Sequence, residues 1–223
     1  KVNIYTNLDQ SLPKVTGLSD GGFVIVWQSE GQDGDSLDHY EKEGSLSTGV
    51  YGQRYDADGN KVGFEFQVNT HTDSDQENVS VTGLDNGGFV VVWDSYGQNT
   101  NYNFASNLYG QLYDGSGATI SSEFQVDGNI SAGSGGGSWA RDSSITSLPD
   151  GGFIVSWEGN YSIYTQRYDI EGNSLGVVSI NRAPTAIKID ASMIDENSAG
   201  AVVGTLIVTD PDTNDSHTLT LSG

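Results

Sequence analysis

The chain has 223 residues, which is enough for one large domain or for one medium domain with a smaller piece. Its 30 acidic residues against 9 basic ones argue against nucleic acid as a partner, because phosphate binding needs clustered Lys and Arg. The absence of Cys excludes disulfides and thiolate metal sites, and no segment approaches the roughly 20 apolar residues of a membrane helix. A net charge of −21 attracts divalent cations, although it is also typical of a merely salt-tolerant surface.

Most of the sequence is a repeat. Residues 2–29 match residues 68–95 without a gap, and a third copy lies at 143–159. Each copy contains an apolar run that ends in Trp, at 23–27, 89–93 and 153–157. Each run is followed by a segment that contains Tyr-Asp and ends in a turn, at 51–60, 109–118 and 164–173. The sequence therefore predicts three units, at about 1–66, 67–130 and 131–180.

Each unit predicts four short antiparallel strands. In the second unit they are SVTGL, GFVVVW, LYGQLYD and EFQVD, in that order. Asp-Gly and Asn-Gly between apolar runs predict hairpins, because these residues tolerate the positive φ that such turns need. No segment shows a capped apolar period of 3.6 residues, so we expect an all-β protein with almost no helix.

The run from Phe89 to Trp93 predicts a strand that is buried on both faces. Phe89, Val91 and Trp93 point one way, and Val90 and Val92 point the other. Four-stranded units that stack face to face around an axis bury both faces of their inner strands, which indicates β-propeller blades. Insertions at 29–48 and 95–107 lengthen the first two units between their second and third strands.

Three units are fewer than the four to eight blades of most propellers. Further blades outside this sequence would complete the ring, and the first residues, KVN, already resemble the end of an EFQVN strand. Alternatively, two self-associating chains complete one ring, or the units form an open solenoid. A plain two-sheet sandwich is a further alternative.

Residues 181–223 form a different, truncated module. The stretch NRAPT at 181–185 indicates a linker, and AIKI, AVVGTLIV and HTLTLS predict the strands of a partial β-sandwich. The order NRAPTAIKI, IDENSAGAVVGTLIVTDPD and HTLTL resembles the cadherin-like domains of large repetitive bacterial surface proteins. The resemblance covers under half of a domain of about 100 residues.

The first 180 residues resemble the GGFVVVW and YGQRYDADG repeats of the same class of secreted proteins, which are often exported with calcium-binding RTX repeats. The resemblance implies a fragment of a large calcium-dependent adhesin or hemolysin-type protein that is secreted to the cell surface. The glycine-rich RTX nonapeptides themselves do not occur in this sequence.

The resemblance also implies calcium at the acidic segments of the second module, although ordinary acidic turns are the alternative. The best oxygen ligands there are Glu196, Asp210, Asp212 and Asp215. A second candidate set has the spacing that begins an EF-hand loop, but a hairpin turn is favoured for it; it is formed by Asp56, Asp58 and Asn60. A third, weaker set lies in the first insertion and comprises Asp33, Asp35 and Asp38.

The insertions are candidate ligand-binding loops. Segment 96–108 mixes Tyr, Asn, Gln and Phe without charge, a composition suited to stacking on sugars and to bonding their hydroxyls. The candidate ligand-binding residues are Tyr96, Asn99, Tyr102, Asn103 and Phe104, with Trp139 beside a Gly-Ser stretch, and the first insertion adds His39 and Tyr40. The alternative is an adaptable surface loop without a ligand.

Catalysis has little support. The three His residues, His39, His71 and His217, lie in unrelated loops, and no Gly-x-Ser-x-Gly or His-x-x-x-His spacing occurs. We expect an extracellular recognition module that binds a glycan, or a protein on a host or neighbouring cell, without membrane insertion. A structural spacer that binds nothing is the alternative, and a secreted carbohydrate-active enzyme is the third hypothesis.

Overall fold

The computed structural model describes residues 1–34, 46–98, 106–128, 140–159, 162–176, 186–190 and 205–209; in the last two ranges it describes the side chains of Lys188 and Ile207 alone. The chain divides into two compact units, Lys1–Val177 and Val178–Gly223. Every regular element in these ranges is a β-strand, which confirms the all-β prediction. Among the same residues, no helix has the length and hydrophobicity needed to cross a membrane.

The larger unit contains three four-stranded antiparallel sheets, one from each repeat, with the strands of each sheet in chain order. The first sheet consists of β1 (Gln10–Gly17), β2 (Phe23–Glu30), β3 (Thr48–Tyr55) and β4 (Lys61–Gln67); the second of β5 (Gln76–Gly83), β6 (Phe89–Tyr96), β7 (Ser106–Tyr113) and β8 (Phe124–Gln125); the third of β9 (Ala140–Ser147), β10 (Phe153–Gly159), β11 (Ser162–Tyr168) and β12 (Ser174–Gly176). The predicted four-strand order of each repeat is therefore confirmed.

The smaller unit contains one described hairpin. Strand β13 (Ala186–Asp190) pairs antiparallel with β14 (Thr205–Thr209), with Ile187 opposite Val208. Both strands coincide with apolar segments that predict sandwich strands. The rest of the predicted cadherin-like module lies outside the described residues.

The Gly-Gly pairs close the first hairpin of each sheet. In the middle sheet, Gly87 has a φ of 89°, which an L side chain rarely adopts. A Cβ on Gly88 would lie 2.3 Å from the carbonyl oxygen of Tyr113. The first glycine is therefore required by the turn and the second by close packing against β7.

Two apolar clusters join the three sheets. The cluster between the first and second sheets contains Leu18, Val24, Val26, Val50, Val68, Val79, Phe89, Val91, Trp93 and Tyr113. The cluster between the second and third sheets contains Leu84, Val90, Val92, Leu108, Leu112, Val126, Ala140, Phe153, Val155, Trp157 and Tyr168. We call the face of each sheet that carries Phe23, Phe89 or Phe153 its head face, and the opposite face its tail face.

The central strand of each sheet shows which faces are covered. All residues from Phe89 to Trp93 have an exposure of 0%, so the prediction that this strand is buried on both faces is confirmed. In β10 the head-face residues Phe153 and Val155 are buried, whereas the tail-face residue Ile154 is partly exposed. Over the described residues the sheets form an open stack of three, and the closed propeller stays a prediction.

Candidate functional site

The two ends of the stacked sheets differ. Antiparallel strands in chain order place the β1–β2 and β3–β4 hairpins of a sheet at one end, which we call the turn end. The β2–β3 connection and the link to the next sheet therefore leave from the opposite end, which we call the loop end. The two long insertions of the sequence both belong to the loop end.

The turn end satisfies its own polar groups. Asp56 Oδ1 accepts hydrogen bonds from the backbone N–H groups of Asp58 at 3.0 Å and Asn60 at 2.7 Å, and the Asn60 amide donates to Oδ2 at 3.1 Å. These bonds, led by the one from the Asn60 side chain, lower the pKa of Asp56. The bonds of the hairpin therefore account for this geometry without a cation.

The same turn geometry recurs in the other two sheets. Asp114 Oδ1 accepts from the backbone N–H of Ser116 at 2.8 Å, and Asp169 Oδ1 accepts from that of Asn173 at 2.7 Å. Since Ser116 stands where the first repeat has Asp58, the turn does not depend on a second carboxylate. Calcium at Asp56, Asp58 and Asn60 stays a prediction, and the favoured interpretation as a hairpin turn agrees with the observed bonds.

A hydrogen-bonded chain of side chains fixes the loop end of the first sheet. The Ser29 hydroxyl donates to Gln32 Oε1 at 2.7 Å, and Gln32 Nε2 donates to Glu65 Oε1 at 2.7 Å. The second oxygen of Glu65 accepts from the backbone N–H of Ile4 at 2.6 Å. The end of β2, the strand β4 and the N-terminal segment are thereby held together at the base of the first insertion.

The second sheet repeats this network. Ser95 donates to Gln98 Oε1 at 2.7 Å, Gln98 Nε2 donates to Glu123 Oε2 at 2.9 Å, and the backbone N–H of Thr70 donates to Glu123 Oε1. In the third repeat Gly159 stands at the position of the serine, so the same chain of bonds cannot start there. The network therefore accompanies the two units that carry long insertions.

An Asn–Gln pair organises the link between sheets. Asn69 Oδ1 accepts from the backbone N–H of Val50 at 2.8 Å, and Asn69 Nδ2 donates to Gln76 Oε1 at 2.8 Å. At the N-terminus, Asn3 Nδ2 donates to Gln10 Oε1 in the same way. The first residues therefore repeat the Asn–Gln bond of the link between the first and second sheets.

Tyrosine hydroxyls lie among carboxylates at the loop end. Tyr51 is 5% exposed, and burial together with the nearby charges of Asp33 and Glu65 raises its pKa. Burial, with Asp127 and Glu123, likewise raises the pKa of Tyr109 in the second sheet. Both hydroxyls therefore stay protonated at neutral pH and act as neutral hydrogen-bonding groups.

Tyr96 lies where the second insertion begins. It is half-buried, and its backbone N–H donates to the carbonyl of Asp75 at 2.9 Å. The structure thus places this predicted ligand residue at the loop end. The other predicted ligand residues lie outside the described residues, namely Asn99, Tyr102, Asn103, Phe104, Trp139, His39 and Tyr40.

Most predicted calcium ligands also lie outside the described residues, namely Glu196, Asp210, Asp212 and Asp215, together with Asp35 and Asp38. Asp33 lies at the loop end, where its Oδ1 accepts from the Ser47 hydroxyl at 3.3 Å. Within the described ranges, no group of three or more His, Cys, Asp or Glu side chains is arranged to hold a metal ion. All three calcium sets therefore stay predictions.

A buried carboxyl that the sequence pattern did not indicate lies between the second and third sheets. Asp94 has an exposure of 0%, and its Oδ2 accepts from Asn78 Nδ2 at 2.8 Å and from the backbone N–H of Asp142 at 3.3 Å. Burial, with smaller contributions from the charges of Glu77 and Asp142, raises its pKa well above the usual value. In the sequence, Asp94 could be found only by its position directly after Trp93, the last residue of the apolar run.

No protein-family model and no curated protein matches this sequence. Among solved structures, the chain is similar to one described as Hadza microbial sialidase Hz136, with a TM-score of 0.54 and 11% sequence identity. The similarity covers 75% of this chain and 37% of the sialidase chain. At this identity the likeness concerns the fold alone.

Proposed function

We propose that the chain is an extracellular recognition module whose loop end binds a carbohydrate. One observation carries the proposal: two adjacent stacked sheets send their long insertions from the same end and fix them at the base with the same Ser–Gln–Glu network. Binding loops held on a rigid scaffold are a common arrangement for ligand recognition. The likeness in fold to a protein described as a sialidase is compatible with a sugar ligand.

The chemistry of the loop end favours an uncharged sugar. Glu65, Glu123, Asp75 and Asp127 lie at the described part of this end, and the whole chain has a net charge of −21. Such a surface repels an anionic ligand. The neutral hydroxyl of the partly exposed Tyr109, together with the amide-rich and aromatic second insertion, suits the hydroxyls and apolar faces of a neutral glycan.

A glycan array followed by titration calorimetry tests this proposal. The purified chain is expected to bind neutral glycans, and Tyr96→Ala and Tyr102→Ala are each expected to weaken binding about tenfold, the equivalent of about 1.4 kcal/mol. Phe64→Ala is the matched control, because Phe64 is an 89% exposed aromatic on β4, outside the insertions. Binding that is absent for every glycan would support the structural spacer instead.

We further propose that the module belongs to a large repetitive surface adhesin and binds without catalysing a reaction. The resemblance of both parts of the sequence to secreted repetitive proteins supports this assignment. Incubation of the purified chain with neutral polysaccharides is expected to release no product. Turnover would contradict this part of the proposal and favour a carbohydrate-active enzyme.

Calcium is proposed to bind the second module through Glu196, Asp210, Asp212 and Asp215. A ligand that binds only the folded state raises the melting temperature, so calcium, but not magnesium, is expected to raise that of the second module relative to EDTA. Asp212→Asn is expected to remove this rise, whereas Asp56→Asn, at the satisfied hairpin turn, is expected to retain it. Equal melting curves with calcium and with EDTA would contradict the calcium proposal.

A further inference from the structure

Hydrogen bonds between consecutive sheets recur at equivalent positions. The Thr16 hydroxyl oxygen accepts from the backbone N–H of Gly83 at 3.0 Å, which joins the first sheet to the second. The Thr82 hydroxyl oxygen accepts from the backbone N–H of Ser147 at 3.2 Å, which joins the second sheet to the third. Thr146 is the equivalent threonine of the third sheet, and it is exposed on the tail face.

A second bond between sheets recurs in the same way. Gln28 Oε1 accepts from the backbone N–H of Asn78 at 3.1 Å, and Asp94 Oδ2 accepts from that of Asp142 at 3.3 Å. Asn78 and Asp142 lie at the register shift of the first strand of their sheets, with φ of 53° and 54°. Leu12 has the same place in the first sheet, with a φ of 49°.

Glu158 of the third sheet is the counterpart of Gln28 and Asp94. It follows the Trp of its apolar run, as they do, and it lies on the tail face. Its Oε1 lies 3.4 Å from the guanidinium of Arg141 in its own sheet, and 44% of its side chain is exposed. Glu158 is thus a carboxylate acceptor on the outer surface of the third sheet, at the position where Gln28 and Asp94 accept bonds from the next sheet.

The apolar positions show the same contrast. Val50 and Leu108, on the tail faces of the first and second sheets, have exposures of 0%, whereas the equivalent Ile163 of the third sheet is 74% exposed. Val81, on the head face of the second sheet, packs against the apolar cluster, whereas the equivalent Val15 of the first sheet is 65% exposed. Within the stack, the tail face of one sheet packs twice on the head face of the next sheet. The same two kinds of face are left at its ends: the head face of the first sheet and the tail face of the third.

We propose that the tail face of the third sheet docks onto the head face of the first sheet in a second copy of this chain. This inference is independent of carbohydrate binding. The two interfaces inside the stack support this proposal, because the third sheet and the first sheet of the next copy would make contacts at the equivalent positions. Thr146 would accept from the N–H of Gly17, Glu158 would accept from that of Leu12, and Ile163 would be covered.

The proposed interface is heterologous, since two different surfaces meet. Such contacts close into a ring when the rotation between copies permits and otherwise continue as an open chain. The net charge of −21 on each copy opposes association. The Debye length, over which charges repel, shortens from about 8 Å at 0.15 M salt to about 3 Å at 1 M. Association is therefore expected to strengthen as salt is added.

Sedimentation velocity across a concentration series tests the proposal on the full chain. The mass-average sedimentation coefficient is expected to rise with concentration, and to rise at lower concentration when the salt is raised. Val15→Asp in the head face and Ile163→Asp in the tail face are each expected to abolish this rise. Both side chains are exposed within one copy, so the melting temperature of the dilute protein is expected to stay within a few degrees of the wild type.

Mixing the two variants separates this geometry from others. Each variant retains the face that the other has lost, so an equimolar mixture is expected to form a dimer that neither variant forms alone. Ile120→Asp is the control with the same charge change, because Ile120 is an exposed residue between β7 and β8 of the second repeat, and this variant is expected to associate like the wild type. A wild type that stays monomeric at all concentrations and salts would overturn the proposal, as would a mixture of the two variants that stays monomeric.

Discussion

The middle sheet and the two outer sheets share a repeated sequence pattern but have different surroundings. The middle strand β6 is covered on both sides, so Phe89, Val90 and Val92 all have an exposure of 0%. Burial alternates instead over Phe23–Val26 and Phe153–Gly159 of the outer sheets, because each of these has one neighbour among the described sheets. Burial on both faces thus goes with the unbroken apolar run Phe89–Trp93, whereas the third sheet has Ser156 at a tail-face position that is partly exposed.

A polar difference accompanies the apolar one. In the first and third sheets, Arg54 pairs with Asp20, and Arg167 pairs with Asp150, across the turn end. In the middle sheet Leu112 stands at the position of the arginine and Asn86 at that of the aspartate. Leu112 is fully buried against the third sheet. The middle sheet has thus exchanged an ion pair for apolar burial.

The largest effect is expected from Phe89→Ala compared with Phe23→Ala. Phe89 has no exposure and stacks on Tyr113 at a ring-centroid distance of 4.6 Å, and Phe23 stacks on Tyr55 at 4.8 Å but is partly exposed. The cost in free energy of unfolding is expected to be about 3–5 kcal/mol for Phe89 and about half of that for Phe23. Urea unfolding measures both, and equal costs would contradict the difference between middle and outer sheets.

The next effect is expected from Gly83→Ala compared with Gly17→Ala. A Cβ on Gly83 would lie 2.2 Å from the carbonyl oxygen of Gly17 in the neighbouring sheet, whereas a Cβ on Gly17 meets nothing within 4 Å. We expect a loss of about 1–3 kcal/mol for Gly83→Ala, measured by urea unfolding. A change within about 0.5 kcal/mol is expected for Gly17→Ala in dilute solution. A loss at Gly17 as large as that at Gly83 would contradict the difference between a covered and an open head face.

A smaller, pH-dependent effect is expected from Asp94→Asn. Burial raises the pKa of Asp94 in the folded protein, so the folded and unfolded states are both protonated only well below about pH 4, the ordinary pKa of an aspartic acid. As the pH rises, the unfolded state loses this proton first, and the wild type loses stability relative to the variant. The asparagine introduced in place of Asp94 would keep an oxygen for the bonds from Asn78 and Asp142.

Thermal melts from acid to neutral pH measure this difference. The variant is expected to be the more stable protein at pH 7, and the advantage is expected to vanish in acid. Asp85→Asn is the control, since Asp85 is exposed at the surface. A variant that is less stable than the wild type at pH 7 would show that the charge of Asp94 is stabilising.

The smallest effect is expected from Asp150→Asn, which gives the third sheet the asparagine of the middle one. The side chains of Arg167 and Asp150 are 41% and 49% exposed, so solvent screens their attraction. A change of about 0–1 kcal/mol in the free energy of unfolding is expected, and it should shrink further as salt is added. A large loss that persists at high salt would mean that the pair is structurally essential.

The strand order of each sheet and the burial of both faces of β6 could be predicted from the sequence, because hairpin signals and apolar runs are local. The Ser29–Gln32–Glu65 network could not, since its members are ordinary polar residues that only the fold brings together. The burial of Asp94 could not be predicted for a related reason. A carboxylate directly after an apolar run indicates the end of a buried strand, and the burial of this one depends on the third sheet.

Hydrogen–deuterium exchange with and without a bound neutral glycan tests the proposed binding end most directly. The predicted result is slower exchange at the bases of the two insertions, in residues 28–34 and 94–98, with no change in the turns at 56–60 and 114–118. Protection confined to the turn end, or spread equally over both ends, would contradict carbohydrate recognition by the loop end.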